Sequence, residues 1–222
     1  MSILTVERKV LEKNDDIARR NRELFAAHNL FVINLVSSPG SGKTSLLEQT
    51  LKYFNSSLRI AIIEGDVKTD FDAQRIAKYN VPVVQIVTNG GCHLEAKLVN
   101  DALQNFNLAE IELLVIENVG NLVCPANYDL GEALKVVVVS TTEGDDKPLK
   151  YPGMFHNASV LVINKIDLVP YVNSDPEVIK KNALQINPNL KTFTTSCTTM
   201  KGIPEWCEWL RSQAKKSTDV KL

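Results

Sequence analysis

Ser37-Ser38-Pro39-Gly40-Ser41-Gly42-Lys43-Thr44 joins an apolar run, Phe31–Val36, to a helix-like Ser45-Leu46-Leu47-Glu48. Glycines let a tight turn gather backbone N–H groups around one point, and the helix start that follows aims further N–H groups the same way. Lys43 adds a point charge, and the Thr44 hydroxyl stands where it can ligate Mg²⁺. This is chemistry for a polyphosphate. The order and spacing are those of a phosphate-binding P-loop, with Pro39, Gly40, Ser41, Gly42, Lys43, Thr44 and Ser45 around the phosphates. Ser37 stands where that motif has its first glycine, a position that needs a turn-compatible backbone more than a bare one. The expected ligand is a nucleoside triphosphate.

A second loop addresses the base. Ala158–Ile163 reads as a buried parallel strand running into Asn164-Lys165-Ile166-Asp167. An Asp at that strand mouth can accept from guanine N1–H and from its exocyclic amino group. Adenine offers neither donor and would leave a buried carboxylate unpaired. Lys165 would lay its stem along the base, and Asn164 would tie the loop to the P-loop. Ser196, in Thr194-Thr195-Ser196-Cys197, reads either as part of another base-contacting loop or as a polar strand end.

Acids at strand ends supply the rest of a Mg²⁺–triphosphate site. Glu64-Gly65-Asp66 follows Ile60–Ile63, and Glu117-Asn118-Val119-Gly120 follows Leu113–Ile116. Asp66 is assigned to the metal, to its water shell or to the attacking water. Glu117 stands where many GTPases carry Asp in Asp-x-x-Gly and acts through water, leaving the Gly120 N–H for the γ-phosphate. Either acid could instead cap its strand. Lys43, Asp66 and Glu117 are thus the catalytic candidates. Asn121 stands where some GTPases place a water-positioning Gln, so unaided hydrolysis should be slow.

The four cysteines divide into two groups. Cys92 and His93 follow Gly90-Gly91, and Cys124 lies just past Gly120. Two thiolates and an imidazole suit Zn²⁺ or Ni²⁺, but the spacing alone favours structural cysteines over a metal site. On a regular helix neighbours point about 100° apart, so Cys92 and His93 would need irregular backbone to share one ion. Cys197 and Cys207 read as small core residues, and His28 and His156 have no neighbouring ligands.

Positioning these loops needs an α/β fold. Strands are expected at Phe31–Val36, Leu58–Ile63, Val83–Val87, Ile111–Ile116, Ala133–Val139, Val160–Ile163 and Lys191–Thr194, with helical stretches between most of them and a last helix at Pro204–Ala214. That alternation predicts a doubly wound, mostly parallel sheet with ligand loops at the carboxyl ends of its strands. Residues from about Thr5 to His28 carry Val6, Val10, Ile17, Leu24 and Phe25 among charges, an N-terminal amphipathic helix that either packs on the domain or docks a partner. The organisation expected is residues 1–30 as that helix and 31–222 as one P-loop GTPase domain.

With 222 residues, 44% of them apolar, the chain can bury one substantial core. A net charge of −1 argues against nucleic-acid binding driven by phosphate electrostatics. No apolar run approaches the roughly 20 residues of a membrane span, and Met1-Ser2-Ile3-Leu4 is followed by charges rather than a signal-peptide core. The cytoplasm is the expected location, with the cysteines reduced or bound to metal.

Ser-Pro-Gly-Ser-Gly-Lys-Thr, Glu-Gly-Asp, Cys-His-Leu-Glu-Ala, Glu-Asn-Val-Gly-Asn-Leu-Val-Cys-Pro-Ala, Thr-Glu-Gly-Asp-Asp-Lys and Asn-Lys-Ile-Asp occur in that order. Together they resemble the HypB family of hydrogenase nickel-incorporation GTPases, relatives of the urease accessory GTPase in the SIMIBI class. The resemblance runs from Phe31 to the last helix, and Glu117–Ala126 is its most specific part. It implies GTP hydrolysis to GDP with Mg²⁺, a GTP-dependent homodimer, and a Ni²⁺ or Zn²⁺ site at the dimer interface built from Cys92, His93 and Cys124. It also implies work with a companion nickel metallochaperone and a hydrogenase large-subunit precursor, with urease as a further client. Some members carry an N-terminal Cys-rich or His-rich nickel motif. Here no cysteine precedes Cys92 and His28 is the only earlier histidine, so no N-terminal nickel store is expected and the first helix is left as a docking candidate. The competing expectations are a P-loop kinase for a small molecule, which needs no guanine-reading Asp167, and a GTP-binding regulatory module whose cysteines are structural.

Overall fold

A computed structural model describes residues 6–219, with side chains placed for 9–217. Met1 to Thr5, and with them the expected start of the first helix and the signal-peptide region, lie outside the described residues. The elements in chain order are α1 (Val6–Ala27), β1 (Phe31–Ser37), α2 (Lys43–Phe54), β2 (Ile60–Asp66), α3 (Phe71–Ala77), β3 (Val83–Val87), α4 (Ala96–Leu103), β4 (Leu113–Glu117), β5 (Leu134–Ser140), α5 (Lys147–Lys150), α6 (Pro152–Asn157), β6 (Val160–Asn164), α7 (Pro176–Ile186), β7 (Lys191–Thr194) and α8 (Ile203–Asp219). The strands form one seven-stranded sheet in the order β3-β2-β4-β1-β5-β6-β7, and every pairing is parallel.

Parallel strands buried on both faces read as continuous apolar runs, and β1 and β4 are buried along their whole length. Residues alternate between the faces. Ile33 and Leu35 of β1 join Leu46, Leu47, Trp206 and Leu210 on one side, under α2 and α8. Val32 and Val36 look to the other side, where two separate apolar groups form, one under α1 and α4 and one under α6 and α7. Asn34 lies between those two groups and is itself buried.

Several strands end later than the sequence suggested. β2 starts at Ile60, not Leu58, and continues through Glu64 to Asp66; β4 starts at Leu113, not Ile111, and reaches Glu117; β5 runs on to Ser140. Hydropathy ends a strand at its last apolar residue. The ladder carries on wherever a polar side chain finds a partner at the carboxyl edge, and that edge is where the acids are used.

Helix α1 lies on α4 and on the loop before β5. Ala18 and Phe25 are buried, and Val10, from the apolar set read in the sequence, is exposed. Polar side chains fix the helix: Asn14 accepts from the Ala96 N–H at 2.9 Å and donates to the Asp129 carbonyl at 2.8 Å, while Asn21 donates to the carbonyls of Ala96 and Leu130.

Candidate functional site

At the carboxyl ends of β1, β2 and β4 the loops enclose a cleft of about 460 Å³, lined by Gly40, Lys43, Thr44, Asp66, Glu117 and Gly120 among others. This is the crevice where the chain passes from one side of β1 to the other, the expected ligand position in an open parallel sheet. The P-loop is closed by its own side chains: Lys43 Nζ donates to Ser37 Oγ at 3.0 Å and Ser41 Oγ to the Ser38 carbonyl at 2.8 Å. Ser37, the departure from the motif, thus holds the P-loop lysine. Gly42 has φ +95°, and a Cβ there would come 2.5 Å from Asn164 Nδ2, so both conformation and space require glycine.

The Asn164–Asp167 loop reaches back to the P-loop. Asn164 Nδ2 donates to the Ser41 carbonyl at 3.1 Å, and Lys165 Nζ to the Gly40 carbonyl at 2.6 Å. Asp167 Oδ1 is buried with no hydrogen-bond partner among the described residues. Ser196 is buried and its Oγ accepts from the Thr199 N–H, so its side chain braces its own loop. Ser45 Oγ accepts from Arg75, which is gripped by Glu48 and Asp72.

The acids cluster at the cleft floor. Thr44 Oγ1 donates to Glu117 Oε1 at 2.8 Å. Register pairs Glu64 with Glu117 across β2 and β4, and carboxyl oxygens of Glu64, Asp72 and Glu117 lie within 4.8 Å of one another. Burial, and then the charge of Glu117, pushes the Glu64 carboxyl far above the usual range; burial likewise raises Glu117, against the pull of Lys43 and Thr44. Glu64 Oε2 and Glu117 Oε2 are both buried without partners, and an all-oxygen set of this kind fits a hard divalent cation such as Mg²⁺. Asp66 lines the cleft, but its Oδ1 accepts from the N–H groups of Lys68 and Thr69. Burial raises that carboxyl, and those two donors outweigh it and hold it below its ordinary value.

Cys92, His93 and Cys124 come together although more than thirty positions separate the first from the last. One donor atom from each lies within 4.8 Å of the others. Residues 88–95 form turns and bends rather than helix, which lets both neighbours face one point, Cys92 Sγ lying 3.5 Å from His93 Nδ1. Cys124 opens a 3₁₀ turn, Cys124–Asn127. The hydrogen bond with Cys124, then burial, raises the Cys92 thiol. Burial lowers His93, keeping the imidazole neutral, and its Nε2 is buried with no partner. The Tyr128 ring lies against the imidazole, centroids 3.9 Å apart. Two thiols and a neutral imidazole are a donor set for a borderline-soft cation.

The family model for the nucleotide-binding domain of CobW, HypB and UreG matches residues 31–194. The chain belongs to the CobW/HypB/UreG family. Within that family it is 50% identical to the hydrogenase maturation factor HypB of Azotobacter vinelandii over 95% of this chain and 70% of that one. Two HypB crystal structures share its shape. That from Archaeoglobus fulgidus superposes with a TM-score of 0.86 at 38% identity, covering 91% of this chain and 99% of the other. That from Helicobacter pylori, solved in complex with nickel, gives 0.87 at 36% identity over 95% and 99%. The CobW/HypB/UreG fold thus accounts for the nucleotide-binding cleft and for the single all-parallel sheet.

Sequence reasoning passed over Glu64 and Asp72. Glu64 was visible as an acid but sat beyond the expected end of its strand, and only the register shows that it faces Glu117. A larger cleft of about 630 Å³ opens at the amino ends of the strands, between Leu51, Ile60, Pro82 and Ile111, and contains none of the candidate residues. No described helix is long and apolar enough to cross a membrane.

Proposed function

We propose that this protein is a GTP-hydrolysing metallochaperone switch that assists nickel insertion during [NiFe]-hydrogenase maturation, as the maturation-factor relatives suggest. The observation that carries the reading is continuity: Glu117 in the nucleotide cleft and Cys124 in the cysteine–histidine cluster stand on one short segment, with Gly120 between them. Lys43 neutralises the β- and γ-phosphates, the P-loop N–H groups hold them, and Asp167 accepts from guanine. Thr44 and Glu117, with Glu64 and Asp66 around them, are the groups that would hold Mg²⁺. When bound, that ion neutralises charge developing on the phosphates. Asn121 Oδ1 accepts from the Val123 N–H and is turned into the Cys124 loop, which supports slow unaided hydrolysis.

Cys92, His93 and Cys124 take the cargo cation, Ni²⁺ or Zn²⁺. Three donors fall one short of the four that tetrahedral Zn²⁺ or square-planar Ni²⁺ takes. A second copy of the chain would complete the set, and Val123, 62% exposed beside Cys124, favours a covered face there. The partners of this reading are that second copy, a companion nickel metallochaperone and the hydrogenase large-subunit precursor, with work in the cytoplasm. Calorimetric titration of Ni²⁺ and Zn²⁺ into the GDP-bound and GTP-analogue-bound protein, with sedimentation alongside, tests it. The expected result is dimerisation with the GTP analogue and a metal affinity that differs between the states. Equal affinities with no change in mass would leave a nucleotide site and a metal site without a switch.

A further inference from the structure

Between the nucleotide cleft and the cysteine–histidine cluster runs a file of buried polar side chains that belongs to neither donor set. Asn118 begins it. Its Oδ1 accepts from the N–H of Leu94 at 3.0 Å and of Val119 at 2.9 Å, so one buried oxygen joins the residue after His93 to the segment leading to Gly120. Leu94 is fully buried and lies against Gly65 of β2, where a Cβ would come within 2.8 Å of its side chain. The loop therefore cannot slide away from Asn118 without unpacking. Asn118 Nδ2 donates to Asn34 Oδ1 at 3.2 Å, and Asn34 Nδ2 to Glu132 Oε1 at 3.1 Å. Glu132 Oε2 accepts from the Leu130 N–H, and Lys135 Nζ stands 3.9 Å from Glu132 Oε1. The three ammonium protons of Lys135 meet the three carbonyls of Pro125, Ala126 and Tyr128, each at 3.1 Å. Those carbonyls close the turn that begins at Cys124 and ends at Tyr128, whose ring lies on His93.

Asn34 is fully buried and Glu132 and Lys135 nearly so, where polar side chains are costly unless every atom is satisfied. Here they are satisfied, and a satisfied buried network holds one arrangement rather than a range of them. The network ends on both metal-bearing loops and passes through the residue next to Glu117. We propose that Asn118, Asn34, Glu132 and Lys135 are positioning residues that couple the metal donors to the state of the nucleotide. Asn118 passes a displacement of Val119–Gly120 to the Cys92–His93 loop, because both N–H groups donate to its Oδ1 and a shift of one changes the hydrogen bond the other can donate. Lys135 holds the Cys124 turn in place, so that the two cysteines move relative to one another rather than together. The inference rests on the switch reading above and names the side chains that carry it.

The test uses the whole protein loaded with GDP or with a non-hydrolysable GTP analogue. Ni²⁺ binding is followed by calorimetry and by the thiolate-to-nickel absorption band. In the wild type the two states are expected to differ in Ni²⁺ affinity by about tenfold, within the ordinary range for coupled sites. Asn118→Ser should bring that ratio to within about twofold of unity while nucleotide affinity stays within about threefold of wild type. Lys135→Met should weaken Ni²⁺ about tenfold or more in both states and shift the absorption band, and Lys135→Arg should restore part of both. An Asn118→Ser variant that keeps the wild-type ratio, or a Lys135→Met variant that keeps wild-type Ni²⁺ affinity, overturns the inference. If a variant fails to bind nucleotide and so has not folded, amide exchange on the wild type decides: protection of the Leu94 and Val119 amides must change between the two states, and unchanged protection overturns the proposal. A wild type that binds no Ni²⁺, or binds it equally in both states, overturns the switch reading and this inference with it. A wild type that switches beside an Asn118→Ser that also switches overturns this inference alone.

Discussion

The nucleotide cleft and the cysteine–histidine cluster approach each other between Gly120 and Cys124, yet they are built on different terms. The cleft stands on strand ends. Lys43, Thr44, Glu117 and Asn164 are all buried, and each is already hydrogen-bonded to another part of the cleft: Lys43 to Ser37, Thr44 to Glu117, Asn164 to Ser41. The cluster stands on irregular backbone, with all three donors half-buried and few direct ties among them. Each region nevertheless keeps a buried acceptor without a partner, Asp167 Oδ1 in one and His93 Nε2 in the other. The difference is between a site preorganised to bind with little rearrangement and a site whose geometry is borrowed from what lies behind it. A switch needs both kinds, because a rigid sensor can move only a responsive element.

The sharpest way to break the comparison is to disable one region and watch the other. Lys43→Ala removes the charge at the phosphates and should lower GTP turnover on the order of a thousandfold. Ni²⁺ affinity measured without nucleotide should stay within about threefold, well under the 10- to 100-fold typical of changes near a metal. Steady-state phosphate release and calorimetry read the two. Loss of both functions together would mean that the cluster depends on the P-loop itself rather than on the segment after Glu117.

The reverse experiment is Cys124→Ala. It should weaken Ni²⁺ binding by more than about 100-fold, since removal of a direct ligand exceeds the effect of its supporting groups. Nucleotide affinity in the absence of metal should not change. If Cys124→Ala binds Ni²⁺ like the wild type, the three-donor cluster is not the cargo site.

How much of this arrangement was legible in the sequence differs between the same two regions. The cleft follows from local order, because strand, glycine turn and helix are neighbours in the chain and Ser37–Ser45 and Asn164–Asp167 carry their own context. The cluster was legible only as three residue types, until the HypB resemblance joined them. Cys92 and Cys124 meet because β3 and β4 flank β2 and the buried Asn118 joins the loops that follow them, and no local pattern encodes that. Glu64 shows the same limit. Its partner Glu117 is set by parallel register, and a shift of one residue would turn both side chains to opposite faces. Lys135 stands as a charge within an apolar run, and its place is explained only once the three carbonyls of the Cys124 turn lie around it.

At the base end of the cleft the expected effect is smaller. Asp167→Asn replaces a buried acceptor by a group that donates where guanine also donates. A mismatch of this kind costs about 1–3 kcal/mol, or roughly 5- to 150-fold in GTP affinity. Xanthosine nucleotides, which accept at the altered position, should gain. Fluorescent-nucleotide competition measures both. Equal GTP binding by the variant and the wild type would remove the guanine assignment while leaving the phosphate site intact.

The smallest effect tests whether the cluster borrows its geometry from the interior or from helix α1. Arg22 Nη2 donates to both carboxyl oxygens of Asp129, at 2.8 and 2.7 Å, just beyond the Cys124 turn. Burial alone would raise the Asp129 carboxyl, but the Arg22 hydrogen bond and the Gly131 N–H outweigh it and hold the carboxyl below its ordinary value. The sign follows. With the folded value below the unfolded one of about 3.9, the pair stabilises the protein fully above that pH and loses its contribution as pH falls through the folded value. The side chains are 51% and 38% exposed, so solvent screening limits the contribution to roughly 0.2–1 kcal/mol. Arg22→Ala should therefore lower stability by that amount near neutrality, and the gap between variant and wild type should close at pH values well below about 3.9, as read by urea unfolding across a pH series. Ni²⁺ affinity should change by less than about twofold, because the Cys124 turn is held by Lys135 from inside. A variant that loses Ni²⁺ affinity as heavily as Lys135→Met is expected to would assign the cluster's geometry to the helix docked behind it, and the contrast between the two regions would have to be redrawn around α1.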